Sequence, residues 1–349
     1  MRYALCSVHA MNKFIPIIFV IIMLSLPATS GAKREHLIAG RTMGTTYHIK
    51  VVSGASERIN GLKEKIDARL DAINHVFSTY IKDSEISRFN AFNSAGVRFP
   101  VSDDFIQVMK VGRKIYRLSE GAWDGTVNPL VDLWSFGPNR RQPQKPPANQ
   151  IKALMQNVGF DRIRIAEPNF LVKNLATVTL DLNSIAKGFA VDRVSGLLAA
   201  GGYKNYLVEI GGEVYAVGVR ADGKNWRVGI NRPKPDAAIN EVYKAVSLAN
   251  QALATSGDYR NFFEIDGVRY SHVIDPRTGY PVSNGVVSVS IVADNCTLAD
   301  GLATAIMVMG PAKGIQLVKQ LNNVECFIIV EKPDGRLLDF YSTGFANQK

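Results

Sequence analysis

The chain has 349 residues, of which 46% are hydrophobic and 21% charged, and its formal net charge is +10 at pH 7. These values fit a globular protein with a hydrophobic core and exclude a disordered chain or a protein with many membrane spans. The basic residues are scattered rather than grouped in a lysine and arginine run with interleaved aromatics, so we expect no nucleic-acid partner.

The N-terminal segment has the pattern of a secretory signal peptide. An uncharged apolar run, residues 14–26, follows Arg2 and Lys13 and precedes a group of small residues. This run is too short for a stable membrane span, which needs about 20 apolar residues. We therefore predict that residues 1–32 are a signal peptide cleaved near residues 30–32. The mature protein is predicted to be exported to the periplasm, and association with the inner membrane stays open.

The spacing of apolar residues predicts mixed helices and strands along the rest of the chain. The predicted helices cover residues 56–77, 103–118, 184–200, 297–309 and 312–321. The predicted strands cover residues 46–52, 162–166, 178–182, 205–210, 214–220, 226–230, 242–248, 252–256, 286–293, 326–330 and 337–341. Three segments are predicted as loops: 78–90, 123–138 and the proline-rich 138–150. Strands and helices do not alternate regularly, so we predict an α+β fold without an internal domain boundary.

A predicted strand ends at Leu182, and a predicted helix begins near Ser184. Free backbone N–H groups at a helix start favour an anion. Lys187, one turn later, could add a positive charge toward a phosphate. On spacing alone, the commoner explanation is an N-cap by Asn183 or Ser184 with a solvated lysine.

Asp300 and Thr304 lie four residues apart in a predicted helix, so their side chains share a face. Carboxylate and hydroxyl oxygens, together with carbonyls and waters, are ligands that suit Mg²⁺. A salt-bridged or capping aspartate with a threonine in the core is the commoner reason for such a pair.

His272 precedes a turn that contains proline and glycine, and its neutral-range pKa would suit a general base. A single histidine is more often structural. The segment 255–260 ends a predicted strand in a polar turn, which is typical of either a ligand-facing loop or a plain hairpin corner. The chain has no dinucleotide-binding GxGxxG, no P-loop and no GxSxG nucleophile motif.

Two cysteines, Cys296 and Cys326, remain after the predicted cleavage. Neither lies in a CxxC motif or a Cys/His cluster, so we expect neither metal binding nor thiol catalysis from them. An exported location permits a disulfide between them, and the sequence leaves open whether it forms.

Eight stretches occur in a fixed order along the chain: RTMGTTY, FSTYIKDSEISRFN, AWDGTVNPLVDLWSFGP, DLNSIAKGFAVD, YLVEIGGEV, ATSGDYRNF, HVIDPRTGYPV and CTLADGLATA. Taken together and in this order, they resemble the ApbE family, the FAD:protein FMN transferases. The resemblance runs from about Gly40 to the C-terminus, and each motif is weak alone while the ordered set is specific.

The resemblance implies a fold, a substrate and a set of site residues. The fold is a single ApbE-type, T-fold-like α+β domain over residues 33–349, with mixed or antiparallel sheets and flanking helices. FAD is the implied substrate, contacted by Met43, Tyr80, Ala122, Trp123, Asp124, Asp181, Lys187 and Ile274. Mg²⁺ is the implied cofactor, held by backbone oxygens at Ser184 and Ala303 and by the side chains of Asp300 and Thr304. His272 is then the candidate base.

The implied reaction moves the FMN moiety of FAD onto a threonine hydroxyl of an acceptor flavoprotein and releases AMP. Acceptors in the family carry a short Ser/Thr-Gly-Ala-type motif that ends in the modified threonine, and they are usually subunits of membrane redox complexes. Two alternatives remain open from the sequence: an FAD pyrophosphatase that yields FMN and AMP, and a non-catalytic periplasmic FAD-binding protein.

Overall fold

A computed structural model describes residues 33–54, 59–137, 142, 144–238, 241–259 and 261–347. The predicted signal peptide lies outside these ranges. Within them, no helix combines the length and the apolar character that crossing a membrane requires.

An antiparallel eight-stranded sheet forms the centre of the domain, in the order β1-β2-β6-β7-β10-β15-β16-β17. Its strands are β1 (Arg34–Thr42), β2 (Thr45–Ser53), β6 (Tyr206–Ile210), β7 (Glu213–Val217), β10 (Gln251–Gly257), β15 (Val286–Ala293), β16 (Glu325–Glu331) and β17 (Leu337–Tyr341). All eight residues of β15 are buried. Val289 and Ile291 pack in the large core beside the helices, whereas Val292 packs in a second core on the opposite face. The central strand is therefore covered on both faces.

The other strands form four small sheets around the central one. They are β3 (Arg98–Pro100), β4 (Ile163–Ala166) and β5 (Phe170–Lys173) in one sheet; β8 (Trp226–Asn231) with β9 (Val242–Leu248); β11 (Phe262–Ile265) with β12 (Val268–Ser271); and β13 (Ile274–Asp275) with β14 (Tyr280–Pro281). Short 3₁₀ helices cover Phe160–Arg162 and Phe345–Asn347.

Eight α-helices are described, and local capping explains several of their starts. They are α1 (Leu62–Phe77), α2 (Glu85–Ala91), α3 (Asp103–Leu118), α4 (Asn128–Leu133), α5 (Ala148–Met155), α6 (Asn183–Ala200), α7 (Cys296–Met309) and α8 (Pro311–Val318). At the start of α3, the Ser102 hydroxyl accepts a hydrogen bond from the Phe105 N–H, and Asp103 and Asp104 complement the positive end of the helix dipole.

Helices α6 and α7 cross at very short distance at Gly188. A Cβ atom at this position would clash with the Cys296 carbonyl oxygen and would lie 2.8 Å from the Asp300 Cβ atom. The Asp192 carboxylate also accepts hydrogen bonds from the Cys296 and Thr297 N–H groups, each at 2.8 Å. These contacts fix the first turn of α7 against the middle of α6.

Most predicted elements are confirmed, and the bounds of four agree to the residue: α3, β9, β15 and β17. The strand predicted at 178–182 is wrong. This segment is an extended connector, and the side chain of Asn90 supplies the hydrogen bonds that a neighbouring strand would have made, accepting from the Leu180 N–H at 2.7 Å and donating to the Leu180 carbonyl at 2.8 Å.

Three loop or boundary predictions also need correction. The predicted loop 78–90 contains most of α2, which begins after an N-cap by Ser84. The predicted loop 123–138 contains α4. Helix α5, which begins within the predicted loop 138–150, and strands β1, β3, β5 and β11 to β14 were not predicted. Helix α1 begins at Leu62 rather than at residue 56, and residue 56 itself lies outside the described residues.

The contact at Gly188 predicts the effect of a single methyl group. We expect Gly188→Ala to lower the free energy of unfolding by about 1–3 kcal/mol, because the new Cβ meets backbone that cannot move freely. Gly196→Ala is the matched control, because it lies in the same helix with open space around it. This control should raise stability by roughly 0.5–1 kcal/mol. Urea unfolding measures both, and equal stability of the two variants would contradict the proposed contact.

Candidate active site

A cavity of about 550 Å³ opens where the start of α6, the middle of α7 and the end of β10 meet the segment 122–137. Eleven of the thirteen predicted site residues line it: Tyr80, Ala122, Trp123, Asp124, Asp181, Ser184, Lys187, His272, Ile274, Asp300 and Thr304. These residues come from distant parts of the chain, so the fold brings together the motifs that the sequence presents separately.

Met43 and Ala303 are not among the residues that line the cavity. Met43 lies in the tight turn between β1 and β2, with a positive φ of 48°, and its side chain packs partly buried against the core. Ala303 is fully buried in α7, where its predicted contribution is a backbone oxygen. The roles assigned to both remain predictions.

Oxygen atoms converge on one wall of the cavity. Asp300 is 3% exposed, and its Oδ2 atom accepts a hydrogen bond of 2.9 Å from the Gly188 N–H. The Thr304 hydroxyl lies 3.1 Å from the Ser256 hydroxyl, and the Ser184 hydroxyl accepts a hydrogen bond of 2.9 Å from the Trp123 indole. Asp300 and Thr304 lie on α7 and Ser184 lies at the start of α6, so these two helices bring all three residues to one cavity lining.

This donor set fits a magnesium ion. Within the described ranges, no group of three or more His, Cys, Asp and Glu side chains is arranged to hold a metal. Mg²⁺ does not require one, since it is usually bound by one or two carboxylates together with waters and phosphate oxygens. Asp300 could supply the carboxylate and Thr304 the hydroxyl, on the cavity lining that Ser184 at the start of α6 also joins.

Lys187 lies between two buried carboxylates. Its Nζ atom is 2.9 Å from Glu213 Oε1 and 3.8 Å from Asp300 Oδ1. Burial would lower the pKa of Lys187, but attraction to Asp300 and Glu213 outweighs it and raises that pKa. Burial raises the pKa of both Asp300 and Glu213, while Lys187 opposes the shift in each case.

Sequence reasoning did not identify Glu213. It directly follows Gly211 and Gly212, which both have positive φ values, 60° and 101°. The sequence shows only an acidic residue at the start of a buried strand. Its importance is visible only in the structure, where it pairs with Lys187.

Aromatic side chains form another part of the lining. Trp123 is 1% exposed and packs edge-to-face on Phe160, with ring centroids 5.3 Å apart. Tyr80 is 73% exposed and contributes to the same cavity. The exposed Tyr80 ring, in a cavity that the buried Trp123 also lines, suits a ligand that contains a ring system.

The two acidic residues beside Trp123 and α6 also have structural partners. Asp124 accepts hydrogen bonds from the Thr126 N–H (2.7 Å), the Thr126 hydroxyl (2.6 Å) and the Phe160 N–H (3.0 Å). Burial raises the pKa of Asp124 to about 6, against these hydrogen bonds. Asp181 accepts from the Asn183 N–H at 2.8 Å, so one of the N–H groups predicted to be free at the α6 start is already engaged.

His272 has a defined tautomer. Its Nδ1 atom lies 3.0 Å from the Asn261 carbonyl oxygen, which can only accept a hydrogen bond, so Nδ1 carries the proton. Burial lowers the pKa of His272, although the Asp258 carboxylate and the Asn261 carbonyl oppose the shift. The neutral ring therefore keeps the lone pair on Nε2, which is what a general base requires.

Cys296 and Cys326 are both buried free thiols, one at the start of α7 and the other in β16.

The polar turn predicted at 255–260 contributes its first three residues to the cavity lining.

Comparison with known proteins gives concordant results. The model of the ApbE family matches residues 43–328. The chain is 44% identical to the FAD:protein FMN transferase of Vibrio cholerae, over 87% of this chain and 90% of that protein. It is 39% identical to the protein of the same description from Haemophilus influenzae, over 93% and 95% of the two chains.

Solved structures agree. The structure described as the flavin transferase ApbE from Vibrio cholerae superposes with a TM-score of 0.82 at 40% identity, covering 91% of this chain and all of that one. The apo form of the Pseudomonas stutzeri flavinyl transferase ApbE gives a TM-score of 0.81 at 38% identity, covering 90% and 97%.

The half-buried position of His272 predicts its titration. We expect the imidazole to titrate below the usual value of 6.5, so that it is neutral at pH 7 with the proton on Nδ1. Two-dimensional ¹⁵N NMR of the imidazole nitrogens measures both quantities, and the spectrum of His272→Gln assigns the signal. A midpoint above 6.5, or a proton on Nε2, would contradict this geometry.

Proposed function

The chain belongs to the ApbE family, and on this premise we propose that it is a magnesium-dependent FAD:protein FMN transferase. It moves the FMN moiety of FAD onto a threonine hydroxyl of an acceptor protein and releases AMP. The observation that carries the proposal is that His272, Asp300 and Thr304 line the same cavity. It brings a histidine whose Nε2 keeps its lone pair together with a buried carboxylate and a hydroxyl group.

The residues of the cavity divide into binding and proton-transfer roles. The exposed Tyr80 ring offers apolar surface to FAD, Trp123 forms part of the cavity wall, and Lys187 offers a positive charge to the phosphates. The acceptor threonine oxygen attacks the phosphorus of the FMN half. A new P–O bond forms as the bond to AMP breaks, and the hydroxyl proton passes to His272 Nε2.

Asp300 and Thr304 would hold Mg²⁺ through their side chains, with backbone oxygens at Ser184 and Ala303 completing the protein ligands. When bound, the ion would neutralise the negative charge of the pyrophosphate. Asp300 is suited to the task because the Gly188 N–H fixes one of its oxygens and leaves Oδ1 for a cation.

Export and the acceptor complete the proposal. We propose that the mature protein acts in the periplasm after loss of residues 1–32. Its acceptor is an extracytoplasmic subunit of a membrane redox complex that carries a Ser/Thr-Gly-Ala-type motif. This rests on the signal-like N-terminus and on the family resemblance.

Mass spectrometry of the acceptor tests the reaction. The mature protein, FAD and Mg²⁺ are mixed with an acceptor domain carrying the threonine motif. We expect the acceptor to gain one FMN phosphoryl unit on the threonine, and EDTA should abolish this gain. FAD cleaved to FMN and AMP beside an unmodified acceptor would replace the proposal by a pyrophosphatase. Unchanged bound FAD would replace it by a carrier.

Asp300→Asn tests the metal site with little change of shape. We expect flavinylation to fall by at least about 100-fold, because the neutral amide replaces the only carboxylate assigned to the ion. Asp294→Asn, at an exposed position before α7, is the control and should keep its activity. Initial rates at several Mg²⁺ concentrations separate weaker metal binding from a lost fold. A near-normal rate of Asp300→Asn at low Mg²⁺ would remove Asp300 from the metal site.

A further inference from the structure

Glu213 is a buried carboxylate that faces the cavity and has no role in the proposed reaction. Its side chain is 3% exposed, and it lines the same cavity as Asp300. Oε1 lies 2.9 Å from Lys187 Nζ, while Oε2 has no hydrogen-bond partner in the described part of the protein. A buried carboxylate is costly unless it is paired, so this ion pair calls for an explanation.

The distances around Lys187 suggest an explanation for this ion pair. Its ammonium group is at hydrogen-bonding distance from Glu213 but 3.8 Å from Asp300 Oδ1, which is too long for a charged hydrogen bond. The Gly188 N–H already engages Asp300 Oδ2. Oδ1 is therefore the Asp300 oxygen left for a metal ion, and it is also the oxygen that a released Lys187 would reach.

The backbone holds Glu213 firmly in this position. Glu213 begins β7 directly opposite Ile210 of β6, on the far side of the turn formed by Gly211 and Gly212. A Cβ atom at Gly211 would lie 3.3 Å from Lys187 Cδ and 2.8 Å from Thr45 Cγ2, so this turn runs close against the lysine stem. The carboxylate is presented by a tight hairpin rather than by a mobile loop.

We propose that Glu213 is a positioning residue that holds the Lys187 ammonium away from Asp300 Oδ1 and so keeps the metal site open. Without the Glu213 charge, the nearest anion for Lys187 is Asp300. The lysine would then pair with Oδ1 and compete with the metal ion for the same oxygen. The inference rests on the proposed function for the identity of the cation, but the competition concerns residues of this chain alone.

Cation binding without catalysis tests the proposal. Mn²⁺ stands in for Mg²⁺, and electron paramagnetic resonance measures the free ion in titrations of the full mature protein, with and without FAD. Four proteins form a double-mutant cycle: wild type, Glu213→Gln, Lys187→Met and the double variant. Glu64→Gln, an exposed change on α1, controls for the loss of one negative charge.

We expect Glu213→Gln to weaken Mn²⁺ binding by about tenfold in the wild-type background, a change of about 1.4 kcal/mol. In the Lys187→Met background, the same change should weaken binding by less than about threefold, because no lysine remains to compete. If Glu213 instead bound the ion or attracted it directly, Glu213→Gln would weaken Mn²⁺ binding at least as much in the Lys187→Met background as in wild type. That result would overturn the proposal. Equal affinities of wild type and Glu213→Gln would overturn it as well.

The same titrations distinguish a failure of the proposed function from a failure of the role assigned to Glu213. If wild type binds no Mn²⁺ with or without FAD, the metal site itself falls, and this inference falls with it. If wild type binds and Asp300→Asn does not, while Glu213→Gln is unchanged, only the role of Glu213 falls. Thermal unfolding of the metal-free variants checks that each protein remains folded.

A crystal structure of metal-free Glu213→Gln gives a direct geometric test. We expect the Lys187 Nζ to Asp300 Oδ1 distance to shorten from 3.8 Å to about 2.7–2.9 Å, the range of a charged hydrogen bond. A lysine that stays at its original position would contradict the proposal, whatever the binding data show.

Discussion

The site depends on one contact, the crossing of α6 and α7 at Gly188. Only a residue without a side chain lets the two helices approach so closely. The same residue donates its N–H to Asp300, so the contact that packs the helices also orients the carboxylate. Asp192 ties the first turn of α7 to α6 from the other side, through the N–H groups of Cys296 and Thr297. Core packing and the chemistry of the cavity therefore rest on the same few atoms.

The central sheet provides the rigid support for this pair of helices. Strand β15 is buried along its whole length, and β10 beside it ends at the cavity with Thr255, Ser256 and Gly257. His272 directly follows β12, so its position is tied to the β11–β12 hairpin. A defined imidazole tautomer follows, because the carbonyl that sets it belongs to Asn261, next to the β11–β12 hairpin.

Local signals in the sequence were sufficient for elements that carry their own caps and periodicity. Helix α3 has the Ser102 cap, acidic residues in its first turn and apolar residues at helical spacing, and its bounds were predicted to the residue. The error at 178–182 has a non-local cause, because the bonds of Leu180 go to Asn90 in another segment. The short helix α2 was missed because seven residues give little periodicity. For the site, the family resemblance identified the residues, and only the fold shows that they lie in one cavity. Glu213 lay in a recognised motif, yet its partner Lys187 is in a different element, and no spacing rule connects them.

The assembly of the cavity from α6, α7, β10 and the segment 122–137 links its ligands to folding. A partly folded chain in which α7 has not docked on α6 lacks the site altogether. A molecule that binds there is bound by the native state alone, so it stabilises the whole domain against unfolding. At concentrations above its dissociation constant, this stabilisation grows with the logarithm of the concentration. A ligand in the cavity therefore stabilises the docking of α6 and α7, two helices that are far apart in the chain.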